Sequence, residues 1–122
     1  MVLSNVAKGR VGEKEAERFL KRNGYRIIER NYRCRFGEID IVARDGNTLA
    51  FIEVKSTRSQ EFGPPKAFVN TKKQGRIIRA SLEYLGHHRL EDCPVRFDVV
   101  SIEFKDGSPH TELVKNAFDA DD

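Results

Sequence analysis

Two carboxylates and an amine in this chain stand at a spacing suited to hydrolysing a phosphodiester. Asp40 belongs to the run EIDIVAR (38–44), and Glu53 and Lys55 to TLAFIEVK (48–55). Both runs alternate and are rich in β-branched residues, and Asp45-Gly46-Asn47 between them signals a tight hairpin. A two-residue turn at Gly46-Asn47 sets Val42 opposite Phe51, Ile41 opposite Ile52, Asp40 opposite Glu53 and Glu38 opposite Lys55. One face of the hairpin then reads Ile39, Ile41, Ala43, Ala50, Ile52 and Val54, wholly apolar. The other runs from Val42, Leu49 and Phe51 to Asp40, Glu53, Glu38 and Lys55. A slip of one residue mixes the two sets, so the hydrophobic pattern favours this register.

Directly opposed residues have Cβ atoms ~4.5–5.5 Å apart, which makes Asp40 and Glu53 like charges forced together unless a cation separates them. Two carboxylates with a backbone carbonyl, such as that of Val54, suit Mg²⁺, with Mn²⁺ as an alternative. Such an ion turns water into a nucleophile near neutral pH. The Lys55 ammonium, two positions past Glu53 on the same face, can orient that water and offset charge developing on a phosphate. Glu38 reads as the cross-strand ion-pair partner of Lys55.

These groups need elements to hold them. Residues 10–23 read as a helix, with Gly12, Ala16, Phe19 and Leu20 on one face and Asn23-Gly24 as its stop. Residues 25–32 look extended, and the hairpin follows. Residues 59–66, with Gly63-Pro64-Pro65, form a loop. Thr71 is positioned to cap a second helix running to about Leu85, with Ile77, Ile78, Ser81, Leu82 and Leu85 turned inward. Residues 95–104 make the last strand, Asp98 on it reads as structural, and 105–122 read as an irregular tail. The order α-β-β-β-α-β predicts an α/β domain spanning 1–122, a mixed sheet with helices packed on it.

The chain of 122 residues carries a net charge of +3, unevenly spread. Residues 1–35 are net +6, 36–55 net −2, 56–89 net +5 and 90–122 net −6. Two basic blocks thus flank the short acidic hairpin, a distribution that either attracts a polyanion or forms a set of ordinary solvated faces. Arg33 and Arg35 precede the hairpin and Arg58 follows it, all placed to meet a phosphate backbone. Lys72, Arg76 and Arg79 share a narrow arc of the second helix, opposite its apolar face, as a phosphate-tracking stripe or a solvated face. Gln74, on the inward side of that helix, is set either to touch the strand being cut or to cap backbone groups. Glu13 sits on the first helix at the border of its buried face, within reach of a site on the sheet or, as a plain helix charge, near the favourable N-terminal dipole.

The runs Gly37-Glu38-Ile39-Asp40-Ile41-Val42-Ala43-Arg44-Asp45 and Phe51-Ile52-Glu53-Val54-Lys55 resemble the YraN family of small bacterial proteins. That family is similar to the PD-(D/E)xK, restriction-endonuclease-like nucleases. The resemblance extends to Gly12-Glu13, Gly24-Tyr25, Arg30-Asn31, Phe62-Gly63 and Arg96-Phe97-Asp98-Val99. It implies an endonuclease-like core with Asp40 and Glu53 as metal ligands and Lys55 as the catalytic lysine. It also strengthens the metal-site role of Glu13, because similar nucleases often supply an acid from the first helix. Ile39 stands where the superfamily pattern has proline. Taken together, the expectation is a Mg²⁺-dependent endonuclease acting on DNA, with a non-catalytic nucleic-acid-binding module as the alternative. A symmetric homodimer would let so small a domain cut both strands.

Other chemistries find no support. The longest purely apolar runs, such as Leu49-Ala50-Phe51-Ile52, fall far short of the ~20 residues of a membrane span. Residues 1–10 lack the apolar stretch of a secretory signal, and Cys34 and Cys93 form no clip or disulfide framework, so a cytoplasmic location is expected. The pair His87-His88 cannot turn both rings to one face, and neither nucleotide-binding glycine motif occurs.

Overall fold

The computed structural model describes residues 5–58 and 68–120, with side chains over 11–57 and 68–120. The expected loop at 59–66 therefore lies outside the described residues. The elements are α1 (Asn5–Arg22), β1 (Arg26–Cys34), β2 (Gly37–Asp45), β3 (Thr48–Arg58), α2 (Thr71–His87), β4 (Val95–Lys105) and β5 (Ser108–Phe118). The strands form one sheet in the order β1-β2-β3-β4-β5. Only β3 and β4 are parallel, joined by the α2 crossover; the other neighbours are antiparallel. This mixed sheet with two helices is the α/β class expected.

Alternation along the strands divides the core. Leu49 and Phe51 of β3, with Phe97 and Val99 of β4, pack with Ile77, Ala80, Tyr84 and Leu85 of α2. Ala50, Ile52, Val100 and Ile102 pack with Ala16 and Leu20 of α1. The helices thus cover opposite faces of the sheet. Helix α1 approaches β3 so closely that a Cβ on Gly12 would lie 2.2 Å from the Ser56 hydroxyl. Its end is a Schellman motif: the Tyr25 N–H donates to Leu20 O (3.0 Å) and the Gly24 N–H to Lys21 O (3.1 Å), with Gly24 at φ 87°. That turn delivers Tyr25 to Asp98, to which its hydroxyl donates at 2.9 Å.

Several local expectations need correcting. Residues 108–118 are not an irregular tail but the edge strand β5. Asp106 and Gly107, at φ 51° and 78°, make a tight turn with positive φ at both central positions, and Lys105 faces Ser108 across it. Pro109 is tolerated because β5 is at the sheet edge. Asn70, rather than Thr71, caps α2, its side chain accepting the Lys73 N–H at 2.8 Å. Leu82 is 62% exposed, whereas Tyr84 takes the inward place. Ile39 packs with Val42 on the α2 side, not with Ile41, so strict alternation fails in β2. Nearby on β1, Asn31 has the left-handed φ of 53°.

Asp98, fully buried, accepts from Arg96 at 2.8 Å and from the Asn116 N–H at 2.9 Å as well as from Tyr25. Arg96 also reaches Asp45 at 2.8 Å. This closed network is structural, as expected for Asp98. All three tyrosines of the chain hold their protons above the ordinary phenol value, burial being the first cause in each and a nearby acid (Asp98 for Tyr25, Glu83 for Tyr32, Glu29 for Tyr84) adding to it. A phenol whose pKa is raised by folding stabilises the native state below the unfolded value near 10 and loses that contribution above it. We therefore expect the Tyr25 contribution, read as wild type minus Tyr25→Phe, to show no phenolate absorbance near pH 10 in the folded protein and to appear at the alkaline unfolding transition. Ultraviolet difference titration checks this, and a separate titration step at pH 10 in folded protein would contradict it.

Candidate functional site

The hairpin register is the expected one as far as it extends: Asp45 faces Thr48, Val42 faces Phe51 and Ile41 faces Ile52. Gly46 takes φ 63° while Asn47 does not turn positive, the φ pattern of a II′ turn. Beyond Ile41 and Ile52 the ladder stops. Asp40 and Glu53 are therefore not the directly opposed pair that the spacing predicts. The Val54 N–H, directed toward β2, instead donates to the Asp40 carboxylate at 2.8 Å. A side chain has taken a donor that the β2 main chain would otherwise receive. Glu53 meanwhile pairs with Val99 of the parallel neighbour and is only 5% exposed.

The two carboxyl groups still converge. Burial first, then a hydrogen bond and charge from Glu53, and more weakly the charge of Glu13, push the Asp40 pKa up to about 8; the Val54 N–H opposes the shift. Glu13 of α1 is thus electrostatically part of the site. Asn31, with its amide nitrogen turned to them, donates to Glu13 at 3.2 Å and to Glu38 at 3.0 Å, tying α1, β1 and β2 together.

The expected Glu38–Lys55 ion pair is absent. Glu38 lies 3.5 Å from the Arg33 guanidinium on β1, the neighbour that remains in register with it. The Lys55 ammonium donates to the Phe68 carbonyl just before α2. The cation that does pair with Glu53 is Lys73, from the first turn of α2, a residue the sequence reading passed over. Burial works against the Lys73 charge, but Glu53, then Asp40 and Glu38, outweigh it and raise its pKa. A signal for Lys73 existed: it lies four residues before buried Ile77, in line with the apolar stripe, although its own side chain is exposed.

The other expected contacts divide. Gln74 caps the backbone, its amide donating to Val69 O at 2.6 Å. Lys72, Arg76 and Arg79 are exposed on α2. A Cβ on Gly37, in the β1–β2 turn, would lie 3.4 Å from the Arg76 Cβ, so Arg76 adjoins the segment carrying Arg33 and Arg35. Both of those arginines are exposed, and Arg35 lies over the Phe36 ring at 4.8 Å. The Arg58 side chain lies outside the described ones. Among the described residues, no three His, Cys, Asp or Glu side chains form a ready cage for a metal ion. No helix among them is long and apolar enough to cross a membrane.

Comparison with known proteins agrees with the motif-level resemblance. The model of the family described as "Uncharacterised protein family UPF0102" matches residues 12–102, which include α1, the hairpin and α2. The chain belongs to the UPF0102 (YraN) family. A UPF0102 protein of Syntrophus aciditrophicus is 50% identical over 94% of this chain and 91% of its own. One from Geobacter metallireducens is 48% identical over 98% of both chains, and one from Caldicellulosiruptor saccharolyticus is 41% identical over 90% and 95%. Among solved structures, Pyrococcus furiosus SfsA in complex with Ca²⁺ is 15% identical, with a TM-score of 0.42, over 93% of this chain and 63% of that one. The UPF0102 chain thus spans less than two thirds of SfsA.

Crowding of Asp40 against Glu53 has a measurable cost in this family member. An acid whose pKa is raised by folding penalises the native state as pH climbs from its unfolded value near 3.8 to about 8. Asp40→Asn keeps an acceptor for Val54 and offers Glu53 a neutral donor. Without divalent cations it should be more stable than wild type by about 1–3 kcal/mol at pH 8, the difference closing by about pH 4. Urea denaturation at both pH values tests this; an unchanged or lower stability at pH 8 would show that the carboxyls do not repel.

Proposed function

We propose that this UPF0102 protein is a divalent-cation-dependent nuclease acting on DNA. The observation that carries the reading is the convergence of two buried or half-buried carboxyl groups, Asp40 and Glu53, where β2 and β3 part, with Glu13 close enough to act on Asp40. Like charges in such a place call for a proton or a cation, and Lys73 already supplies one positive charge. The donors are all carboxylate oxygens, the type that Mg²⁺ or Mn²⁺ prefers. Asp40 and Glu53 would hold the ion and Glu13 would lie nearby. When bound, such an ion acidifies a water and polarises a phosphoryl oxygen.

The chain's own groups divide the remaining work. The Val54 N–H fixes the Asp40 carboxylate, and Asn31 holds Glu13 and Glu38. Lys73 pairs with Glu53, and it competes with any ion for that carboxylate. Lys55, released from the Phe68 carbonyl, is the ammonium that offsets charge on the phosphate. Arg33, Arg35 and Arg76, gathered around the β1–β2 turn, bind the backbone, with Lys72 and Arg79 farther along the helix face.

A second reading, a nucleic-acid-binding module without turnover, is favoured by one feature: Glu53 and Lys55 both have protein partners here. Cleavage of linear, nicked and branched DNA with Mg²⁺ or Mn²⁺ separates the two. We expect turnover in wild type, loss of about 10²-fold or more in Asp40→Ala, Glu53→Ala and Lys55→Ala, and calorimetric cation binding that survives in Lys55→Ala only. Cleavage persisting in both carboxylate variants would remove the catalytic assignment. Steeply salt-dependent binding without cleavage by wild type would leave the binding module.

A further inference from the structure

A groove between the end of β1 and the C-terminal half of α2 shares only Arg33 and Arg35 with the roles assigned above. It has a volume of about 480 Å³, the size of sites that take small organic groups. Tyr32 of β1 and His88, just past α2, line it, and both are braced on Tyr84. Tyr32 meets that ring edge-on at 5.1 Å between centroids, and His88 lies tilted against it at 4.2 Å. Arg33 and Arg35, both exposed, bring two guanidiniums to the same groove. Glu83 adds a half-buried carboxylate whose Oε2 has no hydrogen-bond donor among the described residues and is shielded from solvent, so a ligand's donor meets it once the side chain turns into the groove. An acceptor left in that condition is costly unless a donor arrives from elsewhere.

Braced aromatic rings, paired cations and an unsatisfied acceptor match the three parts of a nucleotide. A base stacks on the rings, its phosphate meets the arginines, and an exocyclic amine can donate to a carboxylate. Bases in a duplex cannot enter, because both faces are stacked and the pairing edge is occupied. The groove is linked to the acidic site through a relay of side chains. Arg33 reaches Glu38 at 3.5 Å, and Asn31 links Glu38 to Glu13.

We propose that this groove holds one unpaired nucleotide of the strand that meets Asp40 and Glu53, so that the protein selects single-stranded segments or junctions with unpaired residues. The inference rests on the reading of the protein as a nucleic-acid-binding nuclease and adds its substrate class. Tyr32 and His88 supply the stacking surface, Arg33 and Arg35 the phosphate contact, and Glu83 a preference for an amine-bearing base.

Fluorescence anisotropy without divalent cation tests the groove apart from the chemistry. The probes are labelled oligodeoxycytidine and oligodeoxythymidine of about twelve residues and a blunt duplex of the same length. Wild type should bind the single strands at least about tenfold more tightly than the duplex, and Tyr32→Leu should weaken them about tenfold. Arg35→Ala, on the exposed surface and safe for folding, should weaken single-strand binding and reduce its salt dependence. Glu83→Leu should erase any preference for cytidine over thymidine, and Asp40→Asn should leave the single-strand preference intact. Duplex bound as tightly as single strands, or no effect of both Tyr32→Leu and Arg35→Ala, would overturn the groove and leave the nuclease reading standing. A single-strand preference in a protein that cleaves nothing would support the groove and remove the nuclease reading. Failure to bind any of the three probes would overturn both.

Discussion

The hydrogen bond from the Val54 N–H to the Asp40 carboxylate governs the end of the molecule where β2 and β3 part. A main-chain donor in a central strand cannot be left unpaired at low cost, so once the β2–β3 ladder ends, something must accept it. Asp40 does so, and its carboxyl is thereby fixed in the gap between the strands. Glu53, the next residue back on β3, is held by its parallel pairing with Val99. The two acids consequently share a small volume, and Asp40 leaves it only by giving up the Val54 N–H. That volume is electrostatically unsatisfied, and the high Asp40 pKa expresses this. The surrounding cations and amides answer to it.

The helices complete the arrangement from opposite faces. Gly12 lets α1 sit close to β3, which brings the neighbouring Glu13 toward Asp40. Helix α2, capped by Asn70, begins beside Glu53 and aims Lys73 at it. Lys73 balances part of the acidic charge in the absence of an ion, which allows three acids to gather without unfolding the hairpin. The basic residues that face solvent, Arg33, Arg35 and Arg76, stand around the same end of the sheet. The acidic centre thus lies within a basic rim, the charge arrangement on which the proposed reading rests.

Much of this was legible in local sequence. The hairpin turn and the register from Asp45–Thr48 to Ile41–Ile52 follow from Gly46 and from the alternation of apolar residues, because a slipped register would bury charge. The end of α1 follows from Asn23-Gly24. Strand β5 was legible too, since Asp106-Gly107 is a strong turn signal, but polar residues and Pro109 disguise an edge strand as a tail. The contacts at the site were less legible. Extending the register to Glu38 and Lys55 assumes a ladder that Asp40 interrupts with its own side chain, and no pairing rule anticipates that. Lys73 was hidden among neighbouring cations, and only its alignment four residues before buried Ile77 distinguishes it from Lys72.

The sequence by itself determined the α/β class, the hairpin and the choice of Asp40 and Glu53 as residues of interest, because these depend on short-range periodicity and turn chemistry. Only the tertiary structure decided which partners those residues have: Val54 and Glu53 for Asp40, Lys73 for Glu53, the Phe68 carbonyl for Lys55 and Arg33 for Glu38. The reason is physical. Local patterns fix which face a side chain occupies, whereas hydrogen bonds and ion pairs act over a few ångströms between segments that only the packing of α1 and α2 on the sheet brings together.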